Sequence, residues 1–165
     1  MDILAAQVGG ALKAHGLMLA TAESCTGGGV AEAITSVAGS SLWFERGFVT
    51  YSNLSKQQML GVTEAALAQH GAVSEAVVRE MVAGAVAHSG AQVALAISGI
   101  AGPDGGTPDK PVGTVWFAWG IKNTALHVQV QRRQIPGNRA EVRAHAVRIA
   151  LQGVLDLLGQ RTLTA

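Results

Sequence analysis

The chain has 165 residues, of which 12 are basic and 11 acidic, so its formal net charge is +1. This length suits one domain over residues 1–165 that buries its own core, and the balanced charge argues against a nucleic-acid partner. The single cysteine excludes an internal disulfide, and the N-terminus lacks a secretory or membrane-spanning pattern, so we expect a cytoplasmic protein without a membrane partner.

The first part of the chain predicts alternating helices and strands. Apolar spacing predicts a helix over Ile3–His15, and the short apolar run Leu17–Thr21 predicts a buried strand. A second helical pattern begins at Val30 and ends near Gly39, and the aromatic and branched residues of Leu42–Tyr51 predict another strand. A strand, a glycine-rich turn and a helix in this order are the usual layout of a site at the edge of a parallel sheet.

The middle of the chain predicts short helices, a buried strand and a long loop. Leu54–Leu60 has the pattern of a short helix, and the hydroxyls of Thr63 and Ser74 are suited to cap the two helices that follow. The unbroken apolar run Val93–Ile97 predicts a strand covered on both faces. Four glycines and three prolines rule out regular structure across most of Ser98–Val112, and so long a loop is usually functional or disordered.

The C-terminal part predicts a β-hairpin and a long helix. The strands cover Val112–Trp119 and Ala125–Ile135, and the second alternates apolar and polar residues, which predicts an antiparallel pair with one face in solvent. The final helix follows Asn138, ends near Leu158 and is apolar on more than one face, so we expect it to help build a homo-oligomer. The fold class predicted is α/β, a single-domain three-layer sandwich with a central mixed β-sheet flanked by helices.

The strongest local signal for chemistry is the segment Glu23–Gly29, which reads Glu-Ser-Cys-Thr-Gly-Gly-Gly at the predicted strand-to-helix junction. Unpaired amides and partial positive charge at a helix N-terminus would let Ser24 attack a carbonyl while nearby N–H groups hold the oxyanion. The alternative is a tight turn in which the serine only caps the helix. The segment lacks the Gly-Lys-Ser/Thr of a Walker A phosphate loop.

A serine nucleophile needs a base, and the five histidines lie at predicted helix ends, on a solvated strand face or within a helix. A lysine can replace histidine once burial lowers its pKa, and Lys56 directly follows a predicted buried strand. The alternative is an ordinary solvated lysine. Cys25 is a second candidate nucleophile, because a helix N-terminus would lower the pKa of its thiol. No histidine or carboxylate spacing predicts a metal site.

Five segments in series resemble one known family, the C-terminal domain of the competence-damage-inducible protein CinA in its stand-alone bacterial form. The similarity covers nearly the whole chain, from residue 17 to about residue 158. The segments that carry it are Thr21–Gly28, Tyr51–Lys56, Gly71–Ser74, Ser98–Gly106 and Lys110–Val115.

The resemblance implies an amidohydrolase that converts nicotinamide mononucleotide (NMN) to nicotinic acid mononucleotide and ammonia, within pyridine nucleotide (NAD) recycling. The family's nucleophile is the serine of Glu-Ser-x-Thr-Gly-Gly, here Ser24, and its assisting residues are the tyrosine and lysine of Tyr-Ser-Asn-x-x-Lys, here Tyr51 and Lys56. A neutral Lys56 would take the proton of Ser24, and Tyr51 could relay or orient it. This chemistry needs no metal or redox cofactor.

The binding roles are less specific. Amides near Cys25–Gly27 or in the Ser98–Gly102 loop are both candidates for the oxyanion hole, and the sequence does not choose between them. Thr26 and Asn53 would hold the ribose. Two arginines that share a face of the final helix would hold the phosphate with loop amides, although a surface pair beside Glu141 is the alternative. The candidate binding residues are Thr26, Gly27, Asn53, Gly99, Ala101, Gly102, Arg139 and Arg143.

Two alternatives to this function stay open at the level of sequence. One is a non-enzymatic interaction module linked to competence or the DNA-damage response. The other is an amidase that acts on a different phosphorylated pyridine, because specificity depends on the shape of the pocket.

Overall fold

The computed structural model describes the backbone of residues 2–164 and the side chains of residues 3–159. One turn of 3-10 helix at Ser40–Leu42 precedes the second strand. The elements in chain order are α1 (Asp2–His15), β1 (Leu19–Glu23), α2 (Gly29–Thr35), β2 (Phe44–Val49), α3 (Asn53–Leu60), α4 (Glu64–His70), α5 (Glu75–Ala87), β3 (Val93–Gly99), β4 (Thr114–Lys122), β5 (Leu126–Gln134) and α6 (Arg139–Thr164).

The five strands form one mixed sheet in the order β2-β1-β3-β4-β5. Strand β1 is parallel to both β2 and β3, whereas β3–β4 and β4–β5 are antiparallel. Helices cover both faces of this sheet. The predicted α/β sandwich with a central mixed sheet is therefore confirmed, and the carboxyl ends of β1 and β3 meet at one edge, where open sheets of this kind bind ligands.

The two faces of the sheet carry side chains of different size. Successive side chains of a strand point to opposite faces, and in β3 the large residues Val93, Leu95 and Ile97 lie in the core that α1, α2 and α6 cover. The small residues Ala94 and Ala96 lie in the second core, which α3, α4 and α5 cover. The alanine face lets α5 approach the sheet closely, as close packing of small residues allows.

The bounds of all five strands differ from the sequence prediction, and two of these differences bear on the position of Ser24 and of the helix that follows the second strand. The first strand reaches Glu23 instead of ending at Thr21, because its pairing with both neighbours continues through that residue. The second strand is confined to Phe44–Val49, since the 3-10 turn begins the segment and a helix-capping turn follows it. As a result, Ser24 directly follows the end of a central strand.

Several local predictions are confirmed. The hydroxyls of Thr63 and Ser74 accept hydrogen bonds from amides three residues further on and cap α4 and α5. In β5, the apolar residues Leu126, Val128 and Val130 are half-buried and the polar residues between them are exposed. The hairpin therefore has the one solvated face that its alternation predicts.

The apolar faces of helix α6 are covered by other elements of the same chain. Its apolar residues on both sides are buried, among them Val142, Ala146, Ala150, Leu151 and Val154. They pack on the sheet and on α1 and α2. The expected homo-oligomer stays a prediction, to which this helix lends no support. None of the helices within residues 2–164, α6 included, has the combination of length and apolar character that crossing a bilayer requires.

The crossing of α5 over the end of α3 depends on a glycine. A Cβ atom added at Gly84 would collide with the backbone carbonyl of Leu60. Backbone atoms cannot move aside as a flexible side chain can, so the two helices would have to separate. The crossing therefore fixes the position of α3, the helix that carries Lys56.

We expect Gly84→Ala to lower the free energy of unfolding by about 1–3 kcal/mol, as overpacking of a close contact does. The matched control is Gly10→Ala in α1, because a Cβ at exposed Gly10 meets nothing within 4 Å. This control should raise stability by about 0.5–1 kcal/mol through helix propensity alone. Urea unfolding followed by circular dichroism measures both, and a Gly84→Ala protein as stable as the wild type would contradict the close crossing.

Candidate active site

Ser24 lies in a tight turn at the carboxyl end of β1. Its amide donates to the Ile97 carbonyl at the end of β3, and its carbonyl accepts from the Gly27 amide, both at 3.0 Å. Gly27 and Gly28 have φ of 61° and 101°, which L side chains adopt only under strain. The two glycines thus allow the chain to turn sharply from β1 into α2, while Ser24 itself is 8% exposed.

Lys56 lies on α3, and its side chain reaches Ser24 at the edge of the sheet. A reciprocal capping box between Ser52 and Ser55 begins α3, so that Lys56 lies in the first turns of that helix. The Lys56 side chain is 1% exposed. Its Nζ lies 3.0 Å from Ser24 Oγ and donates to the Thr50 carbonyl at 2.7 Å.

The surroundings of Lys56 favour the neutral amine. Burial lowers the pKa of Lys56 below its usual range, because an ammonium loses hydration when it is removed from water. Among the described residues no carboxylate forms an ion pair with it. A hydroxyl and an amine that is readily deprotonated, within hydrogen-bond distance, have the geometry of a nucleophile and its base.

The predicted low pKa of Cys25 is wrong. Cys25 is 6% exposed, and burial raises the pKa of its thiol to about 11, with the negative charge of Glu23 adding to the effect. The favourable charges of Arg143 and Lys56 are weaker than this desolvation. A neighbouring helix N-terminus lowers a thiol pKa only where the thiolate stays hydrated or paired, so Cys25 is poorly suited to act as nucleophile.

Glu23 has a structural role that sequence reasoning missed. It is 1% exposed, and its carboxylate accepts from Thr26 Oγ1 at 2.6 Å and from the amides of Val30 and Ala31 at 2.9 and 3.1 Å. It therefore caps the N-terminus of α2 from the preceding strand. The available signal was Gly28, which occupies the N-cap position without a side chain that could cap the helix.

A cleft of about 270 Å³ opens above Ser24. It contains one guanidinium and one carboxylate, from Arg139 and Asp104. Among the side chains of residues 3–159, no three His, Cys, Asp or Glu lie together as a metal site. The sequence-predicted residues that line the cleft are Ser24, Tyr51, Asn53, Lys56, Gly99, Ala101, Gly102 and Arg139.

Tyr51 lies at the mouth of this cleft and is 63% exposed. Its hydroxyl accepts from Arg139 Nη2 at 3.0 Å, and Arg139 Nη1 donates to the Gly102 carbonyl at 2.8 Å. In the part of the chain that the structure describes, no hydrogen bond joins Tyr51 to Ser24 or Lys56. Arg139, the first residue of α6, is thus hydrogen-bonded both to Tyr51 and to the long loop after β3.

Three predicted binding residues do not line the cleft, namely Thr26, Gly27 and Arg143. The hydroxyl of Thr26 donates to Glu23. Arg143 donates from Nε to the Cys25 carbonyl at 3.1 Å and from Nη2 to the Thr26 carbonyl at 3.3 Å. It lines a separate groove between α2 and α6, so the two arginines of α6 lie on different sides of the turn.

Comparisons with known proteins agree with this architecture. The family model described as CinA C-terminal domain matches residues 1–158. The chain is 58% identical over 160 residues to the nicotinamide-nucleotide amidohydrolase PncC of Escherichia coli K12, covering 96% of this chain and 95% of that protein. It is 56% identical over 154 residues to the protein of the same name from Pseudomonas putida, covering 93% and 94% of the two chains.

Solved structures give the same result at the level of the fold. A crystal structure of a CinA superfamily protein from Klebsiella pneumoniae superposes with a TM-score of 0.91 at 42% identity, covering 96% of this chain and 98% of that one. A competence/damage-inducible protein from Agrobacterium tumefaciens gives a TM-score of 0.89 at 43% identity, covering 94% of each chain. The arrangement of helices and strands is therefore shared with solved members of one superfamily.

We expect iodoacetamide to alkylate Cys25 at least about 100-fold more slowly in the folded protein than in urea, because burial leaves so little thiolate. The matched control is the double variant Cys25→Ala/Ser24→Cys, whose thiol lies beside Lys56 and should react rapidly in the folded state. Intact-mass spectrometry over time measures both rates. Rapid alkylation of Cys25 in the folded wild type would contradict the raised pKa.

Proposed function

The chain belongs to the CinA C-terminal domain family, and we propose that it hydrolyses the amide of NMN to nicotinic acid mononucleotide and ammonia, as a step of pyridine nucleotide recycling. The single observation that carries the proposal is the 3.0 Å contact between Ser24 Oγ and the buried Lys56 Nζ, at the floor of a cleft. The name of the E. coli and P. putida relatives supports this choice of substrate.

The first half of the proposed reaction forms an acyl-enzyme. Neutral Lys56 accepts the proton of Ser24 as Oγ attacks the carboxamide carbon of the substrate. The Thr50 carbonyl accepts an N–H of the same amine, which leaves the lone pair for Ser24. When the tetrahedral intermediate collapses, the C–N bond breaks and Lys56 returns the proton to the leaving nitrogen. Ammonia departs, and the pyridine carbonyl remains esterified to Ser24.

The second half repeats this proton transfer with water. Lys56, neutral again, takes a proton from a water molecule that attacks the ester carbon. Collapse breaks the bond to Ser24 Oγ, which receives the proton from Lys56 as the acid product leaves. The same two side chains thus serve both halves of the reaction.

The lining of the cleft supports a small substrate that carries both charges. NMN has a cationic pyridinium ring and an anionic phosphate, and the cleft holds one carboxylate, Asp104, and one guanidinium, Arg139. We propose that Arg139 binds the phosphate at the exposed mouth while Tyr51 positions its guanidinium through the 3.0 Å hydrogen bond. Asn53 is proposed to contact the ribose. The cleft volume of about 270 Å³ lies just below the range of about 300–1,000 Å³ for small-molecule pockets, which favours a ligand no larger than a mononucleotide whose phosphate stays at the open mouth.

The first test is ammonia release from NMN by the wild type and by Ser24→Ala, without added metal. We expect release by the wild type alone, because no other described hydroxyl lies within hydrogen-bond distance of Lys56. Release by both proteins would move the nucleophile away from Ser24. If a folded wild type released none, an amide of another phosphorylated pyridine would become the better substrate.

The second test concerns the base. We expect Lys56→Met to lower kcat/KM by about 10²–10⁴-fold, and the exposed Lys13→Met variant to keep the wild-type rate. Because the base must be neutral, kcat/KM of the wild type should rise with pH through the pKa of Lys56. That midpoint should lie below about 10.4, the value of an unperturbed lysine. A Lys56→Met protein with most of the wild-type rate would overturn the Ser/Lys mechanism.

A further inference from the structure

Arg143 holds the two peptide groups that follow the nucleophile. Its Nε donates to the Cys25 carbonyl and its Nη2 to the Thr26 carbonyl, at 3.1 and 3.3 Å, across 118 and 117 positions of sequence. The guanidinium is half-buried between α2 and α6 and does not line the cleft. A guanidinium holds two adjacent carbonyls in a fixed planar geometry, which the rotating donors of an ammonium do not impose.

We infer that Arg143 is a positioning residue that fixes the Cys25–Thr26 peptide, and with it the turn whose Cys25 and Thr26 N–H groups serve as donors to the oxyanion formed at Ser24. This inference takes its substrate from the proposed amide hydrolysis. The contacts of Arg143 on which it is based do not depend on that proposal. It also gives Arg143 a role other than the phosphate binding that the sequence suggested.

The orientation follows from the planarity of the peptide bond. In a trans peptide the C=O and the following N–H point in opposite directions. A Cys25 carbonyl drawn towards Arg143 therefore directs the Thr26 N–H away from α6. Within the described residues, the amides of Ser24 and Gly27 donate to backbone carbonyls, whereas the amides of Cys25, Thr26 and Gly28 donate to no other residue. Of these three residues, Cys25 lines the cleft. Since a buried amide without a partner is costly, the neighbouring N–H groups of Cys25 and Thr26 are available for a ligand.

A second contact fixes the same residue from another direction. Thr26 is 2% exposed, and its hydroxyl donates to Glu23 at 2.6 Å while its carbonyl accepts from Arg143. The carboxylate of Glu23 thus holds the side chain of Thr26, and the guanidinium of Arg143 holds its backbone. Loss of the arginine would leave the side-chain contact intact but free the peptide to rotate.

The test compares Arg143→Ala, Arg143→Lys and the control Arg148→Ala, an exposed arginine on the same helix, in ammonia release from NMN. We expect Arg143→Ala to lower kcat by about 10–100-fold with KM within about twofold, since small misplacements of reacting groups act on the rate. Arg143→Lys should recover only part of kcat, and added methylguanidinium should restore activity to Arg143→Ala. A raised KM with unchanged kcat would assign Arg143 to substrate binding and overturn the inference, as would an unchanged enzyme.

A second measurement separates this inference from the choice of substrate. The rate at which p-nitrophenyl acetate acetylates Ser24, followed by intact mass, depends on the nucleophile and the oxyanion donor but not on NMN. If the wild type is acetylated faster than Arg143→Ala, the inference holds even if NMN is not hydrolysed. Equal acetylation of the two folded proteins, or none of Ser24 in the wild type, would overturn it. If Arg143→Ala does not fold, Arg143→Lys gives the same comparison.

Discussion

The site depends on a lysine that is removed from water without a negative partner. Lys56 is 1% exposed and its amine meets only a hydroxyl and a carbonyl oxygen. Neither can compensate a full positive charge, so the fold itself favours the deprotonated amine. A charged lysine at this position could not accept a proton and would repel a cationic pyridinium ring. The burial of one side chain therefore underlies both the proposed chemistry and the proposed choice of a cationic substrate.

The rest of the molecule keeps that amine and its hydroxyl partner together. Strand β1 delivers Ser24 to the sheet edge, and a hydrogen bond to Ile97 holds the turn against β3. Helix α3 delivers Lys56, and its position depends on the absence of a side chain at Gly84. Charged side chains stabilise the turn from outside the cleft, with Glu23 below the helix it caps and Arg143 beside the peptides it binds. Rigid supports of this kind are what precise placement of reacting groups requires.

Local patterns in the sequence were enough to predict the fold and the closeness of Ser24 and Lys56. Periodicity gave the strands and helices, and the position of Ser24 and Lys56 after strands placed both at the sheet edge. The role of Glu23 could not be read in the same way, because it caps a helix that begins six residues later and capping signals are local. Cys25 was misjudged because sequence shows its distance from a helix end but not its burial.

The two arginines of α6 show a further limit of such reasoning. Residues four apart share a helix face, but they are about 6 Å apart along the axis. That distance is enough for Arg139 to reach Tyr51 and Gly102 while Arg143 reaches the turn after Ser24. A shared face predicts that two side chains look in the same direction, and does not predict that they meet the same ligand.

The long sequence separation between the turn and Arg143 has a consequence for biosynthesis. A chain emerging from the ribosome exposes the turn after Ser24 first and the helix that holds this turn last, since Cys25 and Arg143 are 118 positions apart. Both core clusters can begin to form before that helix is available, but the first cluster includes α6 residues and stays incomplete without them. Local helices and hairpins form early and contacts of long separation late. The nascent protein thus carries Ser24 through most of translation without the helix that holds the adjacent backbone, so the arrangement around Ser24 is complete only when synthesis is nearly finished.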